Sequence, residues 1–200
     1  MATATAQSVT YGLDASIAKF SVPRYQRMIE SGILTSEDRV ELLENYVVLK
    51  MPKNPPHEGT LDLVKAAFAN LPAGWLLRVQ QTVVLSDSQP EPDFAIVRGG
   101  PRSFVSRHPV AADVALLIEV ADSSLLRDQR DKTRIYARAA IPIYWIINLV
   151  DRRIEVYTQP SGPIEVPVYS AFQTYQPGDQ IPLVLDSVTA TTIPVVDLLP

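Results

Sequence analysis

Apolar and polar positions along the chain change their spacing several times, and each change predicts a structural element. The run VALLIEV, residues 114–120, is apolar at six of its seven positions. A short run of this kind is typical of a central strand that is buried on both faces. Glu119 is its exception, and a carboxylate is rarely buried without a partner. The partner of Glu119 is therefore the first feature to identify.

The residues before this strand predict helices, a hairpin and short strands. Ser21 is expected to cap a short helix with Pro23 in its first turn and Gly32 as its stop. Two β-rich runs flank Glu44-Asn45 in VELLENYVVLKM, which predicts a hairpin over residues 40–51. Helical spacing then covers residues 57–71. Further strands are expected at 75–79, 82–85 and 94–97.

The residues after this strand predict a helix over 124–140 and strands at 143–148 and 153–157. The tail after about residue 160 reads as β-like, with a short helical turn near 195–198. A hairpin, a helix, strands, another helix and more strands predict an α+β (α/β) fold built on one mixed sheet. Residues 1–15 are expected to form a loose arm, and residues 16–200 a single domain.

Composition narrows the class of protein. The chain has no cysteine, so a disulfide framework and thiolate chemistry are excluded. Its start has no signal-peptide pattern and no apolar run reaches the ~20 residues that span a bilayer, so we expect a cytoplasmic protein without a membrane anchor. The net charge of −4 argues against coating nucleic acid by charge alone. From Arg98 to Arg138, however, eight Lys/Arg face five Asp/Glu, a local excess of +3.

The helix predicted over 124–140 directs one lysine towards the core. At about 100° per residue, Lys132 lies on the mainly apolar stripe, while the arginines point away and are expected to be solvated. These arginines are Arg127, Arg130, Arg134 and Arg138. Two interpretations of Lys132 stand: it pairs with Asp128 or extends to the helix edge, or it points back at carboxylates of the sheet.

Two carboxylates stand at the ends of short β runs. Asp93 opens the strand in EPDFAIV, and Glu119 lies near the end of VALLIEV. Taken singly, Asp93 suits a turn or cap, and Glu119 an exposed strand end or an ion pair. Together on adjacent strands they are hard oxygen ligands of the kind that hold Mg²⁺ or Mn²⁺ and leave positions for water and phosphate. A nearby ammonium, Lys132, is suited to stabilising charge on that phosphate.

The stretches PEPDFAIV, LLIEVADSS and DKTRIYARAAIPIYWIINLVDRRIEVY resemble the Uma-type family of restriction-endonuclease-like proteins, within the PD-(D/E)XK nuclease superfamily. The resemblance covers residues 20–198 and is strongest over 91–157. It implies a restriction-endonuclease-like fold with Asp93 and Glu119 as metal ligands. The superfamily lysine two residues after the Glu is replaced by Ala121, and the resemblance implies that Lys132 has taken over its role.

Other roles implied by the resemblance are left open by the residues. Glu41 resembles an additional acidic residue of the family, and it also fits an exposed position on a strand. His57 either lies near the site or only starts a helix. Nothing in the spacing decides whether Gln80 or Gln81 reaches the site. Tyr144 and Trp145 are expected to pack on opposite faces of the sheet rather than to stack on bases.

The leading hypothesis is a divalent-metal-dependent endonuclease that hydrolyses phosphodiester bonds of nucleic acid, with DNA as the expected substrate. Asp93, Glu119, Lys132 and Glu41 are its candidate catalytic residues. Arg98, Arg102 and Arg107, with some helix arginines, are expected to hold the nucleic-acid backbone. A homodimer is typical of this fold. The alternatives are a nuclease fold kept as a binding or interaction module, and a structural domain with a buried Asp–Lys–Glu ion network.

Overall fold

The computed structural model describes residues 17–200, and the arm predicted at residues 1–15 lies outside them. The helices are α1 (Val22–Glu30), α2 (Pro55–Ala67) and α3, which comprises Leu125–Arg127, a π-helical turn at Asp128–Lys132, and Thr133–Arg138. The strands are β1 (Val40–Leu43), β2 (Tyr46–Leu49), β3 (Trp75–Val79), β4 (Phe94–Arg98), β5 (Val114–Ala121), β6 (Ile143–Asn148), β7 (Arg153–Pro160), β8 (Tyr169–Tyr175), β9 (Gln180–Leu185) and β10 (Val188–Pro194). Short 3₁₀ turns lie at Ser36–Asp38, Ala111–Asp113 and Val195–Leu198.

Six strands form one mixed sheet in the order β3-β4-β5-β6-β7-β8. Strands β5 and β6 are parallel, and the other neighbouring pairs of this sheet are antiparallel. A parallel pair needs a long crossover, and α3 supplies it. The predicted α+β fold with one mixed sheet is confirmed, and so is the hairpin, which forms as the separate pair β1-β2.

The sheet is covered on both faces. Helix α2 and the β9-β10 pair bury one face, where Trp145 packs. Helix α3 and hairpin residues bury the other, where Tyr144 packs. The two aromatic residues are therefore core residues on opposite faces, as predicted. Strand β5 is buried along its whole length, as its apolar sequence indicates.

The β1-β2 hairpin is fastened to α3 through its turn. Glu44 and Asn45 both have positive φ, +48° and +68°, as a tight hairpin turn requires. The Glu44 carboxylate accepts hydrogen bonds from Arg134 at 2.9 and 2.5 Å and lies 2.8 Å from Arg138. Burial raises the pKa of Glu44 less than these two arginines lower it, and the Arg134 hydrogen bond is the largest effect. The Glu44 side chain therefore links the hairpin turn to α3.

Three expectations are corrected by the structure. Residues 82–85 are not a strand, because Val83 and Leu85 bond back to Pro90 and Ser88 and Val84 forms a single bridge. Helix α2 begins at Pro55 rather than His57, since proline suits a first helical position, and it ends at Ala67 rather than at residue 71. The helix arginines are not all solvated. Arg127, Arg134 and Arg138 bind the hairpin or Asp87.

None of the helices in residues 17–200 is long and apolar enough to cross a membrane.

Candidate active site

The register between β4 and β5 brings the two predicted carboxylates together. Phe94 pairs with Ile118, so the next residue pair along these antiparallel strands is Asp93 and Glu119. Both side chains lie on the α3 face, because Ala95 and Leu117 pack there. The backbone N–H of Val120 donates to Asp93 Oδ2 at 2.9 Å, which fixes the carboxylate against β5. The carboxylates that sequence spacing placed on adjacent strands are neighbours.

Asp93 is held by two further side chains that its sequence context did not reveal. His57 Nε2 lies 3.1 Å from Oδ2, and Gln80 Nε2 donates to Oδ1 at 3.1 Å. Gln81 is exposed, so Gln80 is the residue that reaches the site. Burial raises the pKa of Asp93, but His57, Val120 and Lys132 together outweigh it, and the pKa is lowered. Asp93 is therefore an ionised carboxylate whose orientation is set by its neighbours.

Glu119 is 3% exposed and is bound from the helix side. Its Oε1 accepts a hydrogen bond from the Tyr136 hydroxyl at 2.8 Å and lies 2.8 Å from Lys132 Nζ. Burial raises the pKa of Glu119 to about 8, with Asp128 and Asp93 adding to the rise and Lys132 opposing it. This carboxyl is thus costly to ionise unless positive charge is added beside it.

Lys132 points at the sheet, as the helical stripe predicts. It is 7% exposed, and its Nζ lies 3.6 Å from Asp128 Oδ1 as well as near Glu119. Both interpretations from the sequence are therefore correct at once. Burial lowers the pKa of Lys132, but the charges of Glu119, Glu41 and Asp128 outweigh burial and raise it well above its ordinary value. The Lys132 ammonium is therefore charged at neutral pH.

Asp128 is a buried carboxylate that the sequence did not assign to the site. It is 1% exposed, Ser124 donates to its Oδ2 at 2.6 Å, and Oδ1 accepts no hydrogen bond within residues 17–200. Burial raises its pKa. Asp128 opens the π-helical turn that Lys132 closes, and such turns are frequent at functional sites. Sequence alone could not place Asp128 in the site, because helical spacing identifies it only as a possible partner of Lys132.

Glu41 enters the site from the hairpin. It is 4% exposed, and its Oε2 accepts a hydrogen bond from the Glu91 N–H at 3.3 Å. It lines the same cleft as Asp93, Glu119 and Lys132, and its charge raises the pKa of Lys132. The alternative of an exposed strand residue is therefore wrong. All four predicted catalytic residues lie in one place.

These residues form the floor of a cleft of about 280 Å³. One wall is the segment from Lys50 to Asn54, and the other is the connection from β5 into α3. Asn54 and Arg127 join the walls, because Asn54 Nδ2 donates to Asp122 and Arg127 Nη1 donates to the Leu49 carbonyl. The cleft has buried acids below and exposed bases above.

The basic flank predicted from the sequence is at this cleft only in part, through the helix residue Arg127. Arg98 is paired with Asp186 and Arg107 with Asp113. Neither they nor Arg102 lines the cleft. The basic residues that do line it are Arg39, Lys50, Lys53, Arg127 and Lys132. The run of arginines in sequence did not reveal this arrangement, because most of them are in ion pairs and several of their partners are distant in sequence.

The donor set suits a hard divalent cation. Within the described residues, no three Asp, Glu, His or Cys groups meet closely enough to enclose a metal ion. Mg²⁺, however, is commonly bound through one or two carboxylates and keeps several waters. Asp93 and Glu119 are such a pair, and the unbonded Oδ1 of Asp128 adds buried negative charge nearby. The residues therefore fit Mg²⁺ or Mn²⁺ rather than a four-ligand zinc site.

A mixed sheet that carries two carboxylates on adjoining strands under a lysine has the restriction-endonuclease-like architecture. The chain belongs to the Uma2 family, whose model is described as "Putative restriction endonuclease" and matches residues 22–192. The resemblance seen in the sequence is confirmed. The match supports a nuclease, and proteins of this fold class generally use a divalent metal.

The fold is shared with a solved structure. The crystal structure of a putative nuclease belonging to DUF820 from Anabaena variabilis ATCC 29413 superposes with a TM-score of 0.64 at 12% identity, over 90% of this chain and 97% of that one. At this identity the likeness shows the fold alone. No curated protein matches the chain.

Proposed function

We propose that the chain is a divalent-metal-dependent endonuclease that hydrolyses phosphodiester bonds of DNA. The observation that carries this proposal is the meeting of Asp93, Glu119 and Lys132 on the floor of one cleft. Asp93 and Glu119 are the proposed ligands of Mg²⁺ or Mn²⁺. Such a cation, when bound, polarises a phosphate oxygen and lowers the pKa of a bound water.

The side chains divide the remaining work. The Lys132 ammonium, whose pKa is raised, stabilises negative charge that develops on the phosphate. Its contacts with Glu119 and Asp128 hold it in place. His57 and Gln80 keep Asp93 oriented, because each bonds one of its oxygens. Glu41 adds negative charge beside Lys132 and is the proposed fourth acidic group.

A cleavage assay tests this function. Supercoiled, linear duplex and single-stranded DNA are incubated with the protein in Mg²⁺, Mn²⁺ or EDTA. Wild type is expected to cut in the presence of either cation and not in EDTA. Asp93→Ala and Lys132→Ala are expected to lose activity by about 10²-fold or more. The matched controls are Asp62→Ala and Lys65→Ala, an exposed ion pair on α2, which are expected to cut like wild type.

Equal cleavage by wild type, Asp93→Ala and Lys132→Ala on all substrates would refute the proposal. If the folded wild type binds neither Mg²⁺ nor Mn²⁺ in calorimetry and cuts none of these substrates, the result favours a binding module instead.

A further inference from the structure

Acidic and basic residues lie at different depths in the cleft. The floor holds four carboxylates that are at least nine-tenths buried: Glu41, Asp93, Glu119 and Asp128. The cleft rim, by which we mean Arg39, Lys53 and Arg127, lies at its mouth. Arg39 and Lys53 are exposed and Arg127 is partly buried. Acids that attract a cation thus lie beneath bases that attract an anion.

The three bases of the rim have no acidic partner among the described residues, unlike six other arginines of the chain. Arg98, Arg107, Arg130, Arg134, Arg138 and Arg153 are all in ion pairs. Within residues 17–200, no carboxylate lies within 4 Å of the charged groups of Arg39, Lys53 or Arg127. Lys50 also lines the cleft, but it is neutralised by Glu91 at 2.5 Å.

Each residue of the rim stands on an anchored piece of backbone. Arg39 has a left-handed backbone, φ +46°, and its carbonyl accepts the Lys50 N–H at 2.9 Å. Lys53 precedes Asn54, which caps α2. Arg127 donates only Nη1, at 2.9 Å to the Leu49 carbonyl, so its other N–H groups remain free to bind a phosphate oxygen. The Arg127 guanidinium, already held by this hydrogen bond, loses less entropy when an anion binds it.

We infer that the cleft rim of Arg39, Lys53 and Arg127 binds the phosphodiester backbone of the nucleic-acid strand whose scissile phosphate enters the floor. This inference rests on the proposed function for the identity of the substrate. The rim offsets the repulsion that four buried carboxylates exert on a phosphate. It takes the role that the sequence suggested for Arg98, Arg102 and Arg107.

Salt dependence of DNA binding tests the inference separately from cleavage. Binding of fluorescein-labelled duplex and single-stranded DNA is measured by anisotropy in EDTA and in Ca²⁺ at several salt concentrations. The rim variant is Arg39→Gln/Lys53→Gln/Arg127→Gln. Its control is Lys65→Gln/Arg102→Gln/Arg130→Gln, which changes net charge equally at three exposed residues that do not line the cleft.

At low salt, the rim variant is expected to bind DNA more weakly than wild type by about tenfold at least. The slope of log affinity against log salt concentration is expected to become shallower by about three. The control is expected to stay near wild type. Arg127→Lys alone keeps the charge and is expected to keep the slope. Circular dichroism and thermal melting confirm that each variant is folded.

Equal losses in the rim and control variants, or no DNA binding by wild type, would overturn the inference. Binding that depends on the rim without any cleavage would uphold the rim and refute the proposed nuclease activity. If cleavage depends on Asp93 while the rim variant keeps wild-type affinity and KM, the nuclease activity would be upheld and the role of the rim refuted.

Discussion

Lys132 Nζ lies 2.8 Å from Glu119 Oε1, and both side chains are more than nine-tenths buried. The two residues come from different elements, since Glu119 is on β5 and Lys132 is on the helix that follows it. The same oxygen also accepts the Tyr136 hydroxyl at 2.8 Å. One oxygen of the carboxylate is thus held by the protein, while Oε2 accepts no hydrogen bond from residues 17–200.

Replacing the lysine should reveal how much of this contact serves stability. Lys132→Met leaves Glu119 and Asp128 buried without a cation, so the free energy of unfolding is expected to fall by about 3–5 kcal/mol near pH 9. Because burial raises the pKa of Glu119 to about 8, the carboxyl is neutral at pH 5 and the loss should be smaller there. Urea unfolding without metal measures both values. The double variant Glu119→Gln/Lys132→Met is expected to recover most of the loss, and a fully stable single variant would contradict this account.

Removing the Tyr136 hydroxyl should lower both stability and cleavage without changing the shape of the site. Tyr136→Phe deletes a buried hydrogen bond to Glu119 and is expected to lower the free energy of unfolding by about 1–2 kcal/mol. Metal-dependent cleavage should fall as well. Tyr144→Phe is the control, since its hydroxyl makes only a 3.4 Å contact with the Asp128 carbonyl. Equal effects of the two substitutions on both stability and cleavage would argue against a specific role for Tyr136.

The imidazole beside Asp93 should affect cation binding more than folding. His57→Leu removes the 3.1 Å contact to Asp93 Oδ2, so the carboxylate loses one of the groups that orient it. Second-sphere partners of this kind typically change metal affinity by about 10–100-fold. Calorimetric titration with Mn²⁺ measures the change. His108→Gln, at the other and exposed histidine, should leave the affinity unchanged, and an unchanged affinity in His57→Leu would refute the positioning role.

The link between hairpin and helix should depend on pH. The pKa of Glu44 is lowered in the folded chain, so its contribution to stability is present above the ordinary carboxyl range and is lost as pH falls through the lowered pKa. Glu44→Gln is therefore expected to be less stable than wild type at pH 7, by about 1 kcal/mol. The two should converge as the pH falls through the lowered pKa of Glu44. Asp62→Asn, in an exposed pair on α2, should show little difference at either pH. A gap for Glu44→Gln that persists at low pH would point to a cause other than charge.

Much of the site could be predicted because its residues stand on regular elements. Strand alternation and the 3.6-residue period are local properties of sequence, and they placed Glu119 and Lys132 facing each other across one layer. The position of Asp93 at the start of a short β run gave the second carboxylate, and the family resemblance added Glu41. The structure brings all four to one cleft, and their catalytic roles stay predictions for the cleavage assay to test.

The other features of the site and fold could not be predicted, because they depend on contacts between residues that are far apart in sequence. His57 and Gln80 reach Asp93 from 36 and 13 residues away. The arginines of α3 looked solvated, but charge alone does not say that Glu44, 90 residues from Arg134, will cover them. Residues 82–85 have the composition of a strand but do not pair with a neighbouring strand in a ladder. Composition alone could not show this, because strand propensity depends on packing against neighbouring strands more than on the segment itself.

The π-helical turn at Asp128–Lys132 holds one residue more than an α-helical turn. Loss of one residue within this turn would return it to regular α-helix and leave the flanking residues in register. Loss of one residue after the turn, between Thr133 and Tyr136, would instead rotate Tyr136 and Arg138 by about 100° relative to the turn, away from Glu119 and Glu44. The turn is therefore a place where this helix can change its length without rotating its C-terminal half, whereas a one-residue change after it would cost a contact of the cleft floor and a contact of the hairpin in a single step.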